Sequence, residues 1–552
     1  MFSKTSNKWL DYLFLSVFLG VLFLVGLGSR PLASPDEGRY AEIPREMVET
    51  GEYITPHLNG LKYFEKPPFV YWLEALPLKM GLSSEFWLRL PIALFGLLGC
   101  LAVYQYTKRI YSHRAACFST LVLGTSLLYF SLARLIILDL VLTVFISIGL
   151  LSFIQGIKLT GMARRGRFML ASAAFACAVL TKGLIGLILP VAIIGIWVIG
   201  LNKWKELRPL YLPTNLLIFG LIAFPWHILV SARNPEFFDF YFIREHFERY
   251  FTTIHRRLQP VWFFIPVTLL GFFPWVVFLP RAVKNFIPFK FKDWKVYDLE
   301  AFLIIWISTI FLFFSFSSSK LIPYILPIFP PLSIMVGRFL AYVAENNYSL
   351  KIESIIYGII TFTLAFSIPM VAQKYCDPHL YELLSPYFLY VQIALFGGGA
   401  SLLILGVLKK TQWQIISLLA FHIAFLFILN SASVYIQKAS MKPFTTFIRQ
   451  TLSPKPTVIV YGVYPQDLPF YLGETVKVLN WSGELDAGKS FNPSNDIFID
   501  DTQFKNAWGS ANPHCVITTS NRIPYLVPNA QPLYKQDDYV VVCNSAVKKS
   551  HD

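Results

Sequence analysis

Long apolar runs separated by short polar stretches fill the first four-fifths of the chain. A helix that crosses a bilayer takes about 20 mostly apolar residues. Thirteen such runs are legible, near residues 10–28, 86–107, 115–130, 135–155, 168–181, 183–200, 211–231, 261–280, 300–316, 321–343, 353–372, 388–408 and 412–433. The connections inside 115–155 and 168–200 are very short. The pattern predicts a polytopic α-helical membrane protein of about thirteen spans, with no cleavable leader.

The polar stretches give a direction. With Lys4 and Lys8 placed inside, alternate loops carry Lys108, Arg109 and Arg114; Lys158, Arg164, Arg165 and Arg167; Lys203, Lys205 and Arg208; Arg281, Lys284, Lys290, Lys292 and Lys295; and Lys409 and Lys410. Only the loop near 344–352 is weak, with Lys351 alone. Basic residues gather on cytoplasmic loops. The N-terminus is therefore expected on the cytoplasmic side of the membrane and the C-terminus on the outer side. Two outer loops, 29–85 and 232–260, are long and rich in charge, which topology does not explain.

From about residue 441 the composition changes. "PTVIVYGVYPQDLPFYLG", "NDIFIDD", "HCVITTS" and "DYVVVCN" read as short strands bounded by turn residues. The expected organisation is a transmembrane domain over 1–440, carrying both outer loops, and a small periplasmic α/β domain over 441–552. No repeat, GxGxxG or P-loop is present.

Composition agrees with the bilayer as solvent: 55% of residues are hydrophobic and only 15% charged, against roughly 25% in soluble domains. The net charge of +15 follows from the basic loops, and no nucleic-acid-binding pattern accompanies it. Cys100, Cys117 and Cys177 fall in apolar runs and read as packing residues. Cys515 and Cys543 lie in the outer domain, where a disulfide between them is one option.

Candidate chemistry sits at the outer boundary. Ser34-Pro35-Asp36-Glu37-Gly38-Arg39-Tyr40 puts two acids and a base where a helix enters the membrane surface. The plain reading is acids at a helix N-terminus; the functional one is a reaction-centre loop. Lys62-Tyr63-Phe64-Glu65-Lys66-Pro67-Pro68 holds Lys66 extended before a Pro-Pro stop, suited to a phosphate or to snorkelling. Asp139, inside an apolar run, is a functional candidate by its placement; the competing reading pairs it with Arg134. Arg244, His246, Arg249, Arg256 and Arg257 make a basic aromatic stretch that also suits anionic lipid. Glu65 and His246 are candidate ligands for a divalent cation. Lys320 and Tyr324, in "SSSKLIPY", and Lys182, in "VLTKGLIG", stand at outer helix ends, as head-group contacts or as interface anchors.

The motifs "SPDEGRYAEIPREM", "YFEKPPFVYW", "REHFERY" and "SSSKLIPYILPIFP", spread over residues 30–330, resemble the 4-amino-4-deoxy-L-arabinose lipid A transferase family. That family lies among the protein O-mannosyltransferase-like, GT-C-type membrane glycosyltransferases. The resemblance implies a donor sugar on undecaprenyl phosphate and an acceptor that is lipid A or another lipid or protein. It implies Asp36 and Asp139 as catalytic acids. Lys66 and Arg249 would serve the carrier phosphate, and Arg39, Tyr40, Tyr63, Lys320 and Tyr324 would bind substrate. Glu65 and His246 would share that cavity, with no cofactor required beyond a divalent cation at most. A related transferase with another sugar or a hydroxyl acceptor stays open. A lipid or sugar transporter is the rival of another class, although repeated halves and midplane polar groups are not visible.

Overall fold

The computed structural model describes residues 8–248, 258–286, 290–436, 440–481, 483–492, 495–527 and 530–549. The chain divides into two compact units.

The first unit, Met1–Leu27, Leu90–Ile228 and Phe242–Ile436, is helical. Among the described residues, eight helices are long and apolar enough to cross a membrane: Glu85–Ile110, Leu138–Ile157, Leu212–Arg233, Asp298–Phe316, Ile322–Asn346, Lys351–Tyr375, Pro378–Val407 and Thr411–Ile436. A ninth is added if Val261–Gly271 and Trp275–Phe286, bent by 102°, count as one. The other expected runs are helical but short, broken or charged. Trp9–Leu24 and Ile185–Leu201 are short. Gly161–Lys182 carries Arg164, Arg165 and Arg167. The run at 115–130 breaks at Ser126, whose extended backbone separates His113–Thr125 from Leu127–Leu132. Partners meet Thr125 at that break: Trp275 Nε1 donates to its Oγ1 at 3.0 Å, and His422 Nε2 bonds its carbonyl at 2.7 Å.

Apolar helices sort by position in the bundle. Leu138–Ile157 is 89% buried over its span and Leu212–Arg233 only 17%. The first is an inner helix and the second faces lipid, although both are uniformly apolar. Gly337 lets Phe329–Asn346 meet His113–Thr125 backbone to backbone, since a Cβ there would lie 2.3 Å from Ser119 N.

The second unit comprises Gly28–Arg89, Leu229–Tyr241 and Gln437–Asp552. Its centre is a six-stranded sheet in the order Phe498–Ile499, Lys477–Leu479, Thr457–Tyr461, His514–Thr519, Tyr539–Cys543, Tyr534–Gln536. The first four strands run parallel, joined through short helices, and the last two pair antiparallel. Ile459, Leu479, Val516, Val540 and Val542 form its core with Phe504. Cys515 and Cys543 stand opposite each other on adjacent antiparallel strands, with Cα atoms 4.0 Å apart, and are bridged.

The first long charged loop, within Gly28–Arg89, is built into this unit. Asn59 exchanges two hydrogen bonds with the backbone of Val476, at 2.9 and 2.8 Å. Tyr471 Oη accepts the Leu32 N–H at 2.8 Å, and Lys442 pairs with Glu85 at 2.6 Å. Helix Asp36–Thr50 also lies directly on the turn before Leu468–Leu472. A Cβ on Gly38 would fall 2.5 Å from Asp467 N, so the glycine of the Asp-Glu-Gly-Arg motif permits that approach.

Candidate active site

Two groups of candidate residues emerge, one in each unit. The first is organised by helix Asp36–Thr50. Of its two leading acids, Glu37 belongs to the fold. Its carboxylate takes Arg89 Nε and Nη2, both at 2.8 Å, and the Ala33 N–H at 2.9 Å. Burial pushes the Glu37 carboxyl up, but the Arg89 hydrogen bond and the charges of Arg89 and Arg30 outweigh it and hold it below the usual range. Asp36 keeps its side chain 55% exposed, with Arg39 3.6 Å away. The helix-terminus reading therefore holds for Glu37 and leaves Asp36 available to a ligand.

Arg39 is the hub. Its guanidinium pairs with Glu484 at 2.7 Å, and Glu484 is held by Gln466, which in turn accepts from Ser34 Oγ. Burial raises the Glu484 carboxyl and Arg39 opposes that rise. Arg39 lies over the Tyr40 ring, 5.7 Å from its centroid, and Tyr40 packs against Tyr71. Tyr63 and Glu65 act on Arg39 electrostatically as well. Among the described residues, Arg39 Nε, Tyr63 Oη and Tyr71 Oη are buried without a hydrogen-bond partner. Burial lifts both phenols well above their usual range, so they remain hydroxyl groups. Lys66, half-buried, donates to the Glu65 carbonyl at 2.6 Å.

The second group lies in the helical unit. Asp139, in the first turn of Leu138–Ile157, pairs with Lys182 at 2.5 Å. The Lys182 ammonium sits 4.2 Å from the centroid of the Tyr324 ring. Arg134 is not the partner of Asp139, contrary to the simplest expectation. It donates instead to the carbonyls of Leu22, Phe23 and Val25, which lie at or just beyond the end of the first helix. Lys320, also buried, donates to the Ser317 and Gln259 carbonyls at 2.6 and 3.0 Å. Arg249 and the His246 side chain lie outside the described residues.

Asp36, Arg39, Tyr40, Tyr63 and Glu65 are thus neighbours, as their motifs suggest, and Lys66 adjoins them. Asp139, Lys182 and Tyr324 form a second constellation from three separate stretches. Glu484 and Gln466 carry no local signal: "WSGELDAGKS", which holds Glu484, is an ordinary loop sequence until the fold sets it against Arg39, and Tyr71, inside "YFEKPPFVYW", does not stand out from the aromatics around it.

An apolar helical bundle with paired acids and bases, joined in one chain to a small α/β unit that takes in the acidic loop, is the organisation of a multi-pass membrane protein. The profile described as dolichyl-phosphate-mannose-protein mannosyltransferase matches residues 9–241, and that of the aminoarabinose transferase C-terminal domain matches 444–544. The undecaprenyl phosphate-α-4-amino-4-deoxy-L-arabinose arabinosyl transferase of Aeromonas hydrophila is 33% identical over 335 residues, 60% of each chain. The enzyme of that name from Pectobacterium carotovorum is 28% identical over 512 residues, 89% of each. The structure of ArnT from Cupriavidus metallidurans bound to undecaprenyl phosphate superposes with a TM-score of 0.86 at 29% identity, covering 98% of this chain and 99% of that one. The chain shares the GT-C-type fold of these transferases and is similar to them in sequence along most of its length.

Proposed function

We propose that this protein transfers 4-amino-4-deoxy-L-arabinose from undecaprenyl phosphate to a phosphate of lipid A, at the periplasmic face of the bacterial inner membrane. The observation that carries this reading is the near-complete superposition on a structure holding undecaprenyl phosphate. The cross-strand disulfide in the second unit suits an oxidising compartment. The N-terminus is then cytoplasmic and the sheet-bearing unit periplasmic.

The reaction is a displacement at the anomeric carbon. An acceptor phosphate oxygen forms the new bond as the bond to the carrier phosphate breaks, and the departing electron pair stays on the carrier oxygen. Configuration inverts. Lys66 and Arg249 are assigned to the charge that grows on the leaving phosphate. A phosphate acceptor is already nucleophilic, so Asp36 acts by orienting it or the sugar; toward a hydroxyl acceptor the same exposed carboxylate would be a general base. Arg39 Nε and the hydroxyls of Tyr63 and Tyr71, buried without protein partners, are assigned to the polar groups of the substrate, with Tyr40 as a wall. Asp139, held by Lys182 beside Tyr324, is assigned as the second acid, and Lys320 and Tyr324 are assigned to substrate binding. Glu65 and His246 are the residues we assign to a divalent cation, and no step above runs through it.

The test is mass spectrometry of lipid A from cells that make the aminoarabinose carrier, with and without this chain. Addition of a pentosamine with the chain alone is expected. No addition from inserted, folded protein would favour a related transferase with another sugar or acceptor.

A further inference from the structure

We infer that Asp11, His113 and Cys117 form a metal site of the helical unit, separate from the reaction residues. Asp11 lies in the first turn of Lys8–Leu24. His113 and Cys117 lie four residues apart on His113–Thr125 and so share one face of that helix. His113 Nε2 is 2.7 Å from Asp11 Oδ2 and 3.7 Å from Cys117 Sγ. The three donor atoms lie within 4.8 Å of one another.

An ordinary Asp–His hydrogen bond accounts for the first of these distances only. A single imidazole nitrogen holds one proton or one lone pair, yet here a carboxylate and a thiol converge on the same Nε2. Convergence of O, N and S donors on one point is how zinc ligands are arranged. Tetrahedral zinc, with bonds of about 2.0 Å to N and O and about 2.3 Å to S, sets its N···O and N···S ligand pairs about 3.3 and 3.5 Å apart. The sulfur already stands at that range, and the carboxylate needs to withdraw by about 0.6 Å.

The other imidazole nitrogen is also provided for. Tyr104 Oη lies 3.1 Å from His113 Nδ1, the outer hydrogen bond that metal-bound histidines ordinarily make. Without metal, Nε2–H donates to Asp11 and Nδ1 accepts from Tyr104. With metal, the Nε2 lone pair binds the ion, the ring proton resides on Nδ1, and Tyr104 accepts it. Cys117 binds as thiolate and its proton leaves to solvent, so one proton is released per ion. Cys117 is fully buried and, on the cytoplasmic side, stays reduced. A borderline divalent ion, zinc above all, with water as fourth ligand, would staple the first helix to His113–Thr125.

The experiment uses the full chain in detergent, stripped with chelator and titrated with Co²⁺. Glu65→Gln is the background, so the proposed reaction-site cation does not contribute. Expected is binding of about one Co²⁺ per chain with a thiolate-to-cobalt charge-transfer band. Cys117→Ser abolishes the band, and Tyr104→Phe, which keeps all three ligands, weakens binding about tenfold or more. Absence of the band from folded protein, or a band that survives Cys117→Ser, overturns the assignment.

Discussion

Arg89→Met tests what holds the Asp36 turn in shape. Arg89 is fully buried and Glu37 nearly so. Two hydrogen bonds of 2.8 Å join them, and Arg89 also donates to the carbonyls of Arg30 and Pro31 at 2.8 and 2.7 Å. Methionine fills much of the volume but leaves the Glu37 carboxylate with the Ala33 N–H and the more distant Arg30, 3.6 Å away. Removing one partner of a buried pair costs about 3–5 kcal/mol. With Arg30 partly compensating, the expected cost is about 3 kcal/mol, or roughly a hundredfold in the local opening constant. Amide hydrogen exchange reads this directly. Glu37 N–H bonds the Ala33 carbonyl and Arg39 N–H the Pro35 carbonyl, so a peptide covering 33–45 should exchange roughly a hundredfold faster. Glu37→Gln combined with Arg89→Met removes the stranded charge and should restore most of the protection. Exchange in the single variant within about threefold of the parent, or a double variant as open as the single, would refute the reasoning.

In the second constellation, Asp139→Asn and Lys182→Met should each lower transfer by about a hundredfold, with the double variant no worse than either single, because each strands the other's charge; additive losses would show that the pair does not act as a unit. Cys515→Ser should free Cys543 for maleimide labelling and cost about 2–4 kcal/mol of stability; unchanged labelling would contradict the bridge. Asp467, fully buried, is raised by burial from 3.8 to about 6 despite the Met441 N–H and Ser440 Oγ on its carboxylate. An acid raised on folding contributes stability that is complete below its unfolded value and is lost as pH rises through its folded one. The unit containing Asp467 should therefore open more readily at pH 7 than at pH 5, measured by exchange corrected for intrinsic rates, and Asp467→Asn should flatten that dependence; an equal slope in both proteins would assign it to other groups.

Hydropathy and charge carried the architecture far. Apolar runs of helical length marked the bundle, and short apolar runs bounded by turn residues marked the strands at 457–461, 514–519 and 539–543. Span number was less legible, because hydropathy does not register a break such as Ser126, where one extended residue divides an apolar run, or the bend between Gly271 and Trp275. The candidate site residues were legible where they stood in one motif. Asp36 and Glu37 looked equivalent along the chain and parted only in three dimensions, where Arg89 claims Glu37. Lys182 and Asp139 were each noticeable as ions in apolar surroundings, but their pairing spans 43 positions. Glu484 was invisible, since an acid in a loop acquires meaning only from the arginine it meets.

The most direct test of the central claim uses proteoliposomes holding synthetic undecaprenyl phosphate aminoarabinose and lipid A, with the intact chain or Asp36→Asn at equal folded amounts. The intact chain should give pentosamine-modified lipid A of inverted anomeric configuration, with stoichiometric release of undecaprenyl phosphate, and the variant should lose at least about a thousandfold. Transfer by Asp36→Asn at near the parental rate, or retained configuration in the product, would contradict that claim.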